Sequence, residues 1–264
     1  MEKITTKFNK EISISIVSHS QMHLIKDLLH DINEYCNAVS IELILTLNLD
    51  EILPFAVVDF SFPIKVIRNP VPLGFAANHN QAFTQATGQF FCVMNPDISI
   101  SEDPFPMLIA CLQDSTIGVV APLVVGESGK IEDSARFFPT PFKILCKVFS
   151  GCKGSDYVIN NVPIFPDWVG GMFMLFSCEI FEKLNGFNGR FFLYYEDVDL
   201  CARLRLRGYE VVLSPAVKVI HDARRNSHRD FKFFKWHLMS MLRFFCSAVF
   251  LQVFWQKLII EKIK

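Results

Sequence analysis

The chain lacks any C-x-x-C pair and any cysteine at zinc-like spacing from a histidine, although its 264 residues include eight cysteines. Cys36, Cys92, Cys111, Cys146, Cys152, Cys178, Cys201 and Cys246 are scattered, several of them inside apolar runs where Cys acts as a small hydrophobe. Spacing therefore argues against a disulfide framework, and reduced cytoplasmic thiols are expected. Excess charge is also missing. With 26 basic and 27 acidic residues, the chain does not suit a nucleic-acid binder that works through a broad electrostatic footprint. There is no internal repeat and no low-complexity segment. Residues 1–11 are mixed polar and charged without the apolar core of a signal peptide, so export is not expected. What is abundant is apolar: 51% of the residues, with 27 phenylalanines. That exceeds what an ordinary soluble interior requires, so some aromatic surface is expected to meet a membrane or a partner. The length suits one large α/β domain, with or without a short appendage.

Residues 12–17 alternate Ile and Ser before Val17, the pattern of a short strand ending at Ser18-His19-Ser20. Leu24, Leu28, Leu29 and Ile32 then recur at helical spacing over residues 23–35, and residues 41–47 form a second apolar strand followed by Asn48 and Asp50. Strand, helix, strand opens a parallel sheet of the βαβ type, in which ligands collect beyond the carboxyl ends of the strands. A third strand is predicted at 64–67. A Gly74-containing loop follows, running into a small-residue helix up to Ala86 with Gly88 as its stop. Gly74 permits close backbone approach, and a helix start offers free N–H groups to an anion. Residues 90–94 read as a central strand ending in Asn95-Pro96-Asp97. Further along, a helix is predicted within 98–112, a strand at 117–122 and a hairpin turn at 126–130. Residues 136–166 are broken by proline and glycine and read as a long irregular segment. Residues 172–176 form another apolar run, 178–184 a helix and 185–189 a turn, and strands are predicted at 209–213 and 217–220.

The stretch Phe191-Phe192-Leu193-Tyr194-Tyr195-Glu196-Asp197-Val198-Asp199-Leu200-Cys201 sets three carboxylates after a run of large apolar and aromatic residues, and Arg203, Arg205, Arg207 and Gly208 follow. Acids in a first turn, bases in a last turn and a glycine stop complement a helix dipole. The same acids, walled by aromatics, suit a general base or a metal ligand. Asp199 points to a different helix face from Asp197 and is expected to pair with Arg203 or nearby backbone. Asp97 and His221, each at a strand end, could hold Mg²⁺ or Mn²⁺ against a diphosphate, leaving the remaining carboxylate free to accept a proton. Trp168 suits core packing and an acceptor wall equally. The tail, 231–264, interleaves aromatics with Lys232, Lys235, Arg243, Lys257 and Lys262. Its most apolar part, 244–255, is too short to span a bilayer and suits either a helix in the membrane interface or packing on the chain's own core.

The order Asn69-x-x-x-Leu73-Gly74-Phe75-x-x-x-x-Asn80, Asn95-Pro96-Asp97, Trp168-x-Gly170-Gly171, Phe191-Phe192-x-Tyr194-x-Glu196-Asp197-Val198-Asp199-Leu200-Cys201-x-Arg203-Leu204 and Val219-Ile220-His221 resembles the family 2 glycosyltransferases of GT-A fold. It is most similar to the rhamnosyltransferase-like branch that builds bacterial O-antigen and other surface polysaccharides. The resemblance runs from about residue 12 to Phe245. It implies a Rossmann-like α/β fold, with a mixed, mainly parallel central sheet flanked by helices and an amphipathic helical tail. Residues 1–230 would form the catalytic domain and 231–264 an appended segment contacting a membrane or partner.

By that resemblance Val17, Ser18, His19, Asn48, Gly74, Phe75, Asn80 and Asn95 would bind the nucleotide. Asp97 and His221 would hold Mg²⁺ or Mn²⁺. Asp197 would be the base, and Trp168, Gly170, Gly171, Tyr195 and Glu196 would form the acceptor site. Family members commonly carry Asp-Asn after the second strand where this chain has Leu47-Asn48, so Asn48, Asp50 or the backbone would read the base. The implied activity is inverting transfer of a sugar, L-rhamnose from dTDP-L-rhamnose, to a lipid-linked saccharide at the cytoplasmic membrane face. The alternatives are a UDP-sugar donor, a non-catalytic sugar-nucleotide-binding scaffold and a sugar-nucleotide hydrolase.

Overall fold

A computed structural model of the chain describes residues 10–150, 155–222 and 231–263. The predicted boundary at residue 230, Cys152 and most of the segment 1–11 lie outside the described residues. Strands β1 (Lys10–Ser18), β2 (Ile41–Leu47), β3 (Ile64–Arg68) and β4 (Gly88–Met94) form the parallel half of an eight-stranded sheet, side by side as β3-β2-β1-β4. The Ile/Ser alternation of β1 has a direct cause. Ile12, Ile14 and Ile16 face Ile25, Leu28, Leu29 and Ile32 of α1 (Met22–Tyr35) in one core. Its serines face the opposite side, where Ser13 donates to Glu42 (2.6 Å) and Ser15 lies 2.8 Å from His79 Nδ1 on α2 (Phe75–Phe83). Complete burial pushes the His79 imidazole down to about 3, so it stays neutral in the core.

The second half of the sheet is mixed. β9 (Phe173–Ser177) runs antiparallel between β4 and β6 (Ile117–Val125), β10 (Glu210–His221) lies parallel to β6, and β5 (Ile98–Ser99) pairs antiparallel with the end of β10. The helix α3 (Phe105–Cys111) covers the α1 side, with Phe105 and Leu108 in that core. On the other face a second core takes Phe181 of α5 (Cys178–Lys183) and Leu200, Cys201 and Leu204 of α6 (Glu196–Leu206). Phe244 of α7 (Phe231–Phe245) and Val253 of α8 (Ala248–Ile263) join it. A two-stranded ribbon, β7 (Ala135–Arg136) with β8 (Trp168–Val169), stands beside the main sheet. The mixed, mainly parallel α/β sheet flanked by helices is the expected architecture.

Several elements differ from the sequence expectation. Gly88 is the first residue of β4 and does not end α2, which stops at Phe83; a Cβ on Gly88 would lie 2.5 Å from Ser13 N, so close strand approach explains it. Residues 98–99 form β5, and the helix begins only at Phe105. The supposedly irregular segment contains α4 (Pro141–Ser150), started by Thr140, whose Oγ1 accepts the Lys143 N–H at 3.1 Å. The two strands predicted around Pro215 are one strand, β10, with a register break between Ser214 and Lys218. Pro215 has no N–H for the ladder there. The tail is two helices bent by 62°. Ser247 makes the corner, accepting the Phe250 N–H at 3.1 Å. Among the described residues no single helix is long and apolar enough to cross a membrane, although α7 and the first part of α8 together pass that test.

Candidate active site

The carboxyl ends of β1 to β4 face one way, and the chemistry-bearing side chains gather there and along the adjoining ribbon. At the β1 and β2 ends, Asn48 is buried and uses its amide fully. Its Oδ1 accepts from Leu73 N (2.8 Å) and Asn69 Nδ2 (2.9 Å), and its Nδ2 donates to the Leu73 carbonyl (2.9 Å) and lies 3.2 Å from His19 Nδ1. Asn78, which the sequence reading passed over, accepts from Asn69 Nδ2 (2.6 Å) and fixes the same loop. Ser18 donates to Glu51 Oε2 and the Ser20 N–H to Glu51 Oε1, each at 2.9 Å, so Glu51 closes the end of β1.

Gly74 is held where a Cβ would lie 2.4 Å from the Phe192 carbonyl, and the Phe75 N–H donates to that carbonyl at 2.8 Å. The Gly74 loop and the 191–195 stretch are thereby joined. Val17, Ser18, His19, Asn48, Gly74 and Phe75 lie along this edge. Asn80 does not: its amide is bonded on both sides to the Phe187 backbone, at 2.8 Å each, and so holds the 185–189 turn.

Asp97 and His221 meet because β5 pairs with β10, setting Ile98 opposite His221, and because Asp222 N donates to the Asp97 carbonyl (2.9 Å). His221 Nε2 is 3.3 Å from Asp97 Oδ2, and His221 Nδ1 is 2.8 Å from Glu132 Oε2. Burial pulls the imidazole pKa down, but hydrogen bonding to and the charge of Asp97 and then Glu132 outweigh it, lifting the ring to about 9. Asp97 Oδ1 is buried with no hydrogen-bond partner. Glu132 carried no motif. Only the hairpin at 126–130 and the β10 pairing bring it to the ring.

The Asn95 N–H donates to the Met172 carbonyl (2.8 Å), and the neighbouring Gly171 N–H donates to Asp197 Oδ2 (3.0 Å). Asp197 Oδ1 accepts the Val198 N–H at 2.8 Å. Asp197 and Glu196 line a cavity of about 260 Å³ together with Arg136, Trp168, Tyr194, Tyr195 and residues of α4 and α7. Tyr194 and Tyr195 are both left-handed (φ 69° and 68°), a backbone conformation that non-glycine residues seldom adopt and that aims the two acids into the cavity. Glu196 is 5% exposed, and its Oε2 has no hydrogen-bond partner. Burial, reinforced by the charge of Asp197, holds the Glu196 carboxyl well above the usual range. Burial raises Asp197 too, but the Val198 and Gly171 N–H groups and the Arg136 charge oppose the rise. Burial thus raises both adjacent acids, Glu196 the further, and the Val198 and Gly171 N–H groups favour charge on Asp197 over Glu196. Asp199 lies elsewhere, fully buried and bonded to Arg203 Nε at 2.7 Å.

Residues 24–169 match the profile of Glycosyl transferase family 2. The chain belongs to glycosyl transferase family 2. Residues 164–229 of this family 2 protein also match a profile described as the N-terminal domain of galactosyltransferase. The family 2 chain is 28% identical to rhamnosyltransferase WbbL of Escherichia coli over 88% of its own length and 92% of WbbL. It is 27% identical to the N-acetylglucosaminyl-diphospho-decaprenol L-rhamnosyltransferase of Mycobacterium tuberculosis, over 52% of this chain and 48% of that enzyme. The chain therefore spans about half the length of the mycobacterial relative. Among solved structures, GalNAc-T7 with UDP, GalNAc and Mn²⁺ superposes with a TM-score of 0.63 at 16% identity, covering 81% of this chain and 44% of that one. The mannosyltransferase PcManGT of Pyrobaculum calidifontis, in complex with GDP-Man and Mn²⁺, gives 0.60 at 17% identity, covering 90% and 66%. Those likenesses fix the fold as GT-A. With its rhamnosyltransferase relatives, the chain is a rhamnosyltransferase-like family 2 glycosyltransferase.

Proposed function

We propose that this glycosyltransferase moves L-rhamnose from dTDP-L-rhamnose to a hydroxyl of a lipid-linked saccharide in bacterial surface polysaccharide synthesis, with inversion at the anomeric carbon. The observation that carries the chemistry is the unequal pair of acids at the cavity wall. Asp197, whose carboxylate accepts two backbone N–H groups, takes the proton of an acceptor hydroxyl lodged among Trp168, Tyr195 and Glu196. The acceptor oxygen forms its bond to the anomeric carbon as the bond from that carbon to the diphosphate oxygen breaks. The hydroxyl proton passes to Asp197, and the nucleoside diphosphate departs. Glu196, whose raised pKa favours the protonated form, donates a hydrogen bond to the acceptor when it carries the proton. The rhamnose donor and lipid-linked acceptor are supported by the likeness to WbbL and to a decaprenol-linked rhamnosyltransferase.

Asp97 and His221 fit a divalent cation: a carboxylate oxygen and an imidazole nitrogen 3.3 Å apart, with the second Asp97 oxygen buried and unpartnered. When bound there, Mg²⁺ or Mn²⁺ would neutralise charge on the departing diphosphate. A peripheral position at the cytoplasmic face of the membrane would bring lipid-linked acceptors to the cavity.

The deciding experiment supplies membranes with a panel of dTDP- and UDP-sugars, with and without Mn²⁺, and measures transfer. Rhamnose incorporation from dTDP-L-rhamnose is expected. Transfer only from UDP-sugars would reassign the donor, and nucleoside diphosphate release that ignores acceptor would reassign the reaction to hydrolysis. Asp197→Asn should lower turnover by about 10²–10⁴-fold while leaving dTDP binding, read by thermal shift, intact. Retained turnover would remove Asp197 from the base role.

A further inference from the structure

We propose that Glu132 is the positioning residue of the metal centre, fixing the His221 ring so that Nε2 faces the cation beside Asp97. The inference rests on the metal reading above and adds a residue to it. A ligating imidazole needs its second ring nitrogen held, and in protein metal sites a carboxylate commonly does so, setting the tautomer and raising the basicity of the ligating nitrogen. Glu132 Oε2 stands 2.8 Å from His221 Nδ1, whereas Asp97 stands on the Nε2 side at 3.3 Å. An ionised carboxylate can only accept, so Nδ1 carries the hydrogen and Nε2 offers its lone pair once a cation replaces its proton.

Glu132 is itself held in place. Its N–H donates to the Val124 carbonyl (2.9 Å), and its carbonyl accepts the Ser134 N–H (2.9 Å), so the side chain is presented by a hairpin returning along β6. Two residues on, the Ser134 carbonyl accepts the Gly170 N–H at 2.8 Å, next to the Gly171 that holds Asp197. The residue orienting the metal ligand and the backbone orienting the base therefore belong to one hydrogen-bonded segment.

The test titrates the full-length protein with Mn²⁺ alone and reads free ion by electron paramagnetic resonance, for wild type, Glu132→Ala and Glu132→Gln. Loss of such an outer partner costs about 10–100-fold in metal affinity. Glu132→Ala should show that loss. Glu132→Gln, whose amide oxygen still accepts the Nδ1 hydrogen, should recover part of it. Thermal midpoints without metal identify any general damage to the fold, and the near-isosteric Gln variant keeps the comparison sound if the Ala variant is damaged. Wild-type affinity in a folded Glu132→Ala, or a Gln variant no better than Ala, overturns the role of Glu132 alone. A wild type that takes up no Mn²⁺, either alone or with dTDP present, overturns the metal reading and this one together.

Discussion

Glu196 and Asp197 are chemically almost identical and sequence neighbours, yet the fold treats them differently. Asp197 receives the Gly171 and Val198 N–H groups, whereas Glu196 receives burial and the charge of its neighbour. That difference has a thermodynamic consequence. A folded-state carboxyl pKa raised above the ordinary 4.5 means that the folded chain holds a proton the unfolded chain releases. Stability is therefore lost as pH climbs from about 4.5 toward the folded value. Glu196→Gln removes that linkage. The variant should be more stable than wild type at pH 8, and the advantage should shrink toward pH 5, as read by urea unfolding at both. An equal difference at the two pH values would mean that Glu196 is ionised in the fold. The left-handed pair Tyr194 and Tyr195 belongs to the same account. Strained φ values of this kind cost on the order of 1–3 kcal/mol each, and here they set the two acids at the cavity.

Among the elements, α6 is the one whose placement the site depends on most, and its anchor lies on the face away from Asp197. Arg203 bonds Asp199 through Nε (2.7 Å), the Leu184 carbonyl through Nη1 (2.7 Å) and the Gly186 carbonyl through Nη2 (2.9 Å), tying α6 to the end of α5 and its turn. The i, i+4 spacing and the dipole argument made the Asp199–Arg203 pair legible in sequence. Removing one partner of a buried pair leaves the other charge stranded, so Asp199→Ala should destabilise the fold by about 3–5 kcal/mol in urea unfolding; a cost below about 1 kcal/mol would mean that water solvates Arg203. The parallel half of the sheet was equally legible, because its apolar strands end in polar residues and β1 and β3 lead into helices. The rest was hidden for specific reasons. Pro139 and Pro141 made the α4 region read as a loop, although Thr140-Pro141 is an ordinary cap followed by proline in the first turn. Pro215 split β10 because a ladder break looks like a strand end. Glu132 was invisible because its partner His221 is 89 residues away, across the pairing of β6 with β10.

At the scale of the molecule, α7 has two faces with different work. Its inner face borders the cavity lined by Glu196 and Asp197: Trp236 packs on Phe192 at 4.7 Å between ring centroids, His237 on Tyr194 and Tyr195 at 5.3 and 5.5 Å, and Ser240 donates to the Leu193 carbonyl at 2.9 Å. Its outer face exposes Phe231, Phe234, Leu238 and Leu242, one turn apart, and α8 exposes Leu251, Phe254 and Trp255 nearby, with the exposed Lys232 and Lys235 among them. Apolar residues interleaved with bases suit a helix lying in the headgroup region of an anionic bilayer, and the 62° bend between α7 and α8 suits two helices resting on a surface better than one crossing it. A surface held this way would set the cavity beside the lipid-linked acceptor proposed above. The chain should therefore sediment with vesicles containing phosphatidylglycerol, and less so as salt rises. Replacing Phe234, Leu238 and Leu242 together by Ser removes apolar area from the outer face while leaving Trp236, His237 and Ser240 in place. Each side chain withdrawn from the interface forfeits up to about 1.5–3 kcal/mol. Partitioning should fall by at least about tenfold, with little change in dTDP binding or thermal midpoint. Undiminished sedimentation of the triple variant would show that the outer face of α7 is not what meets the bilayer.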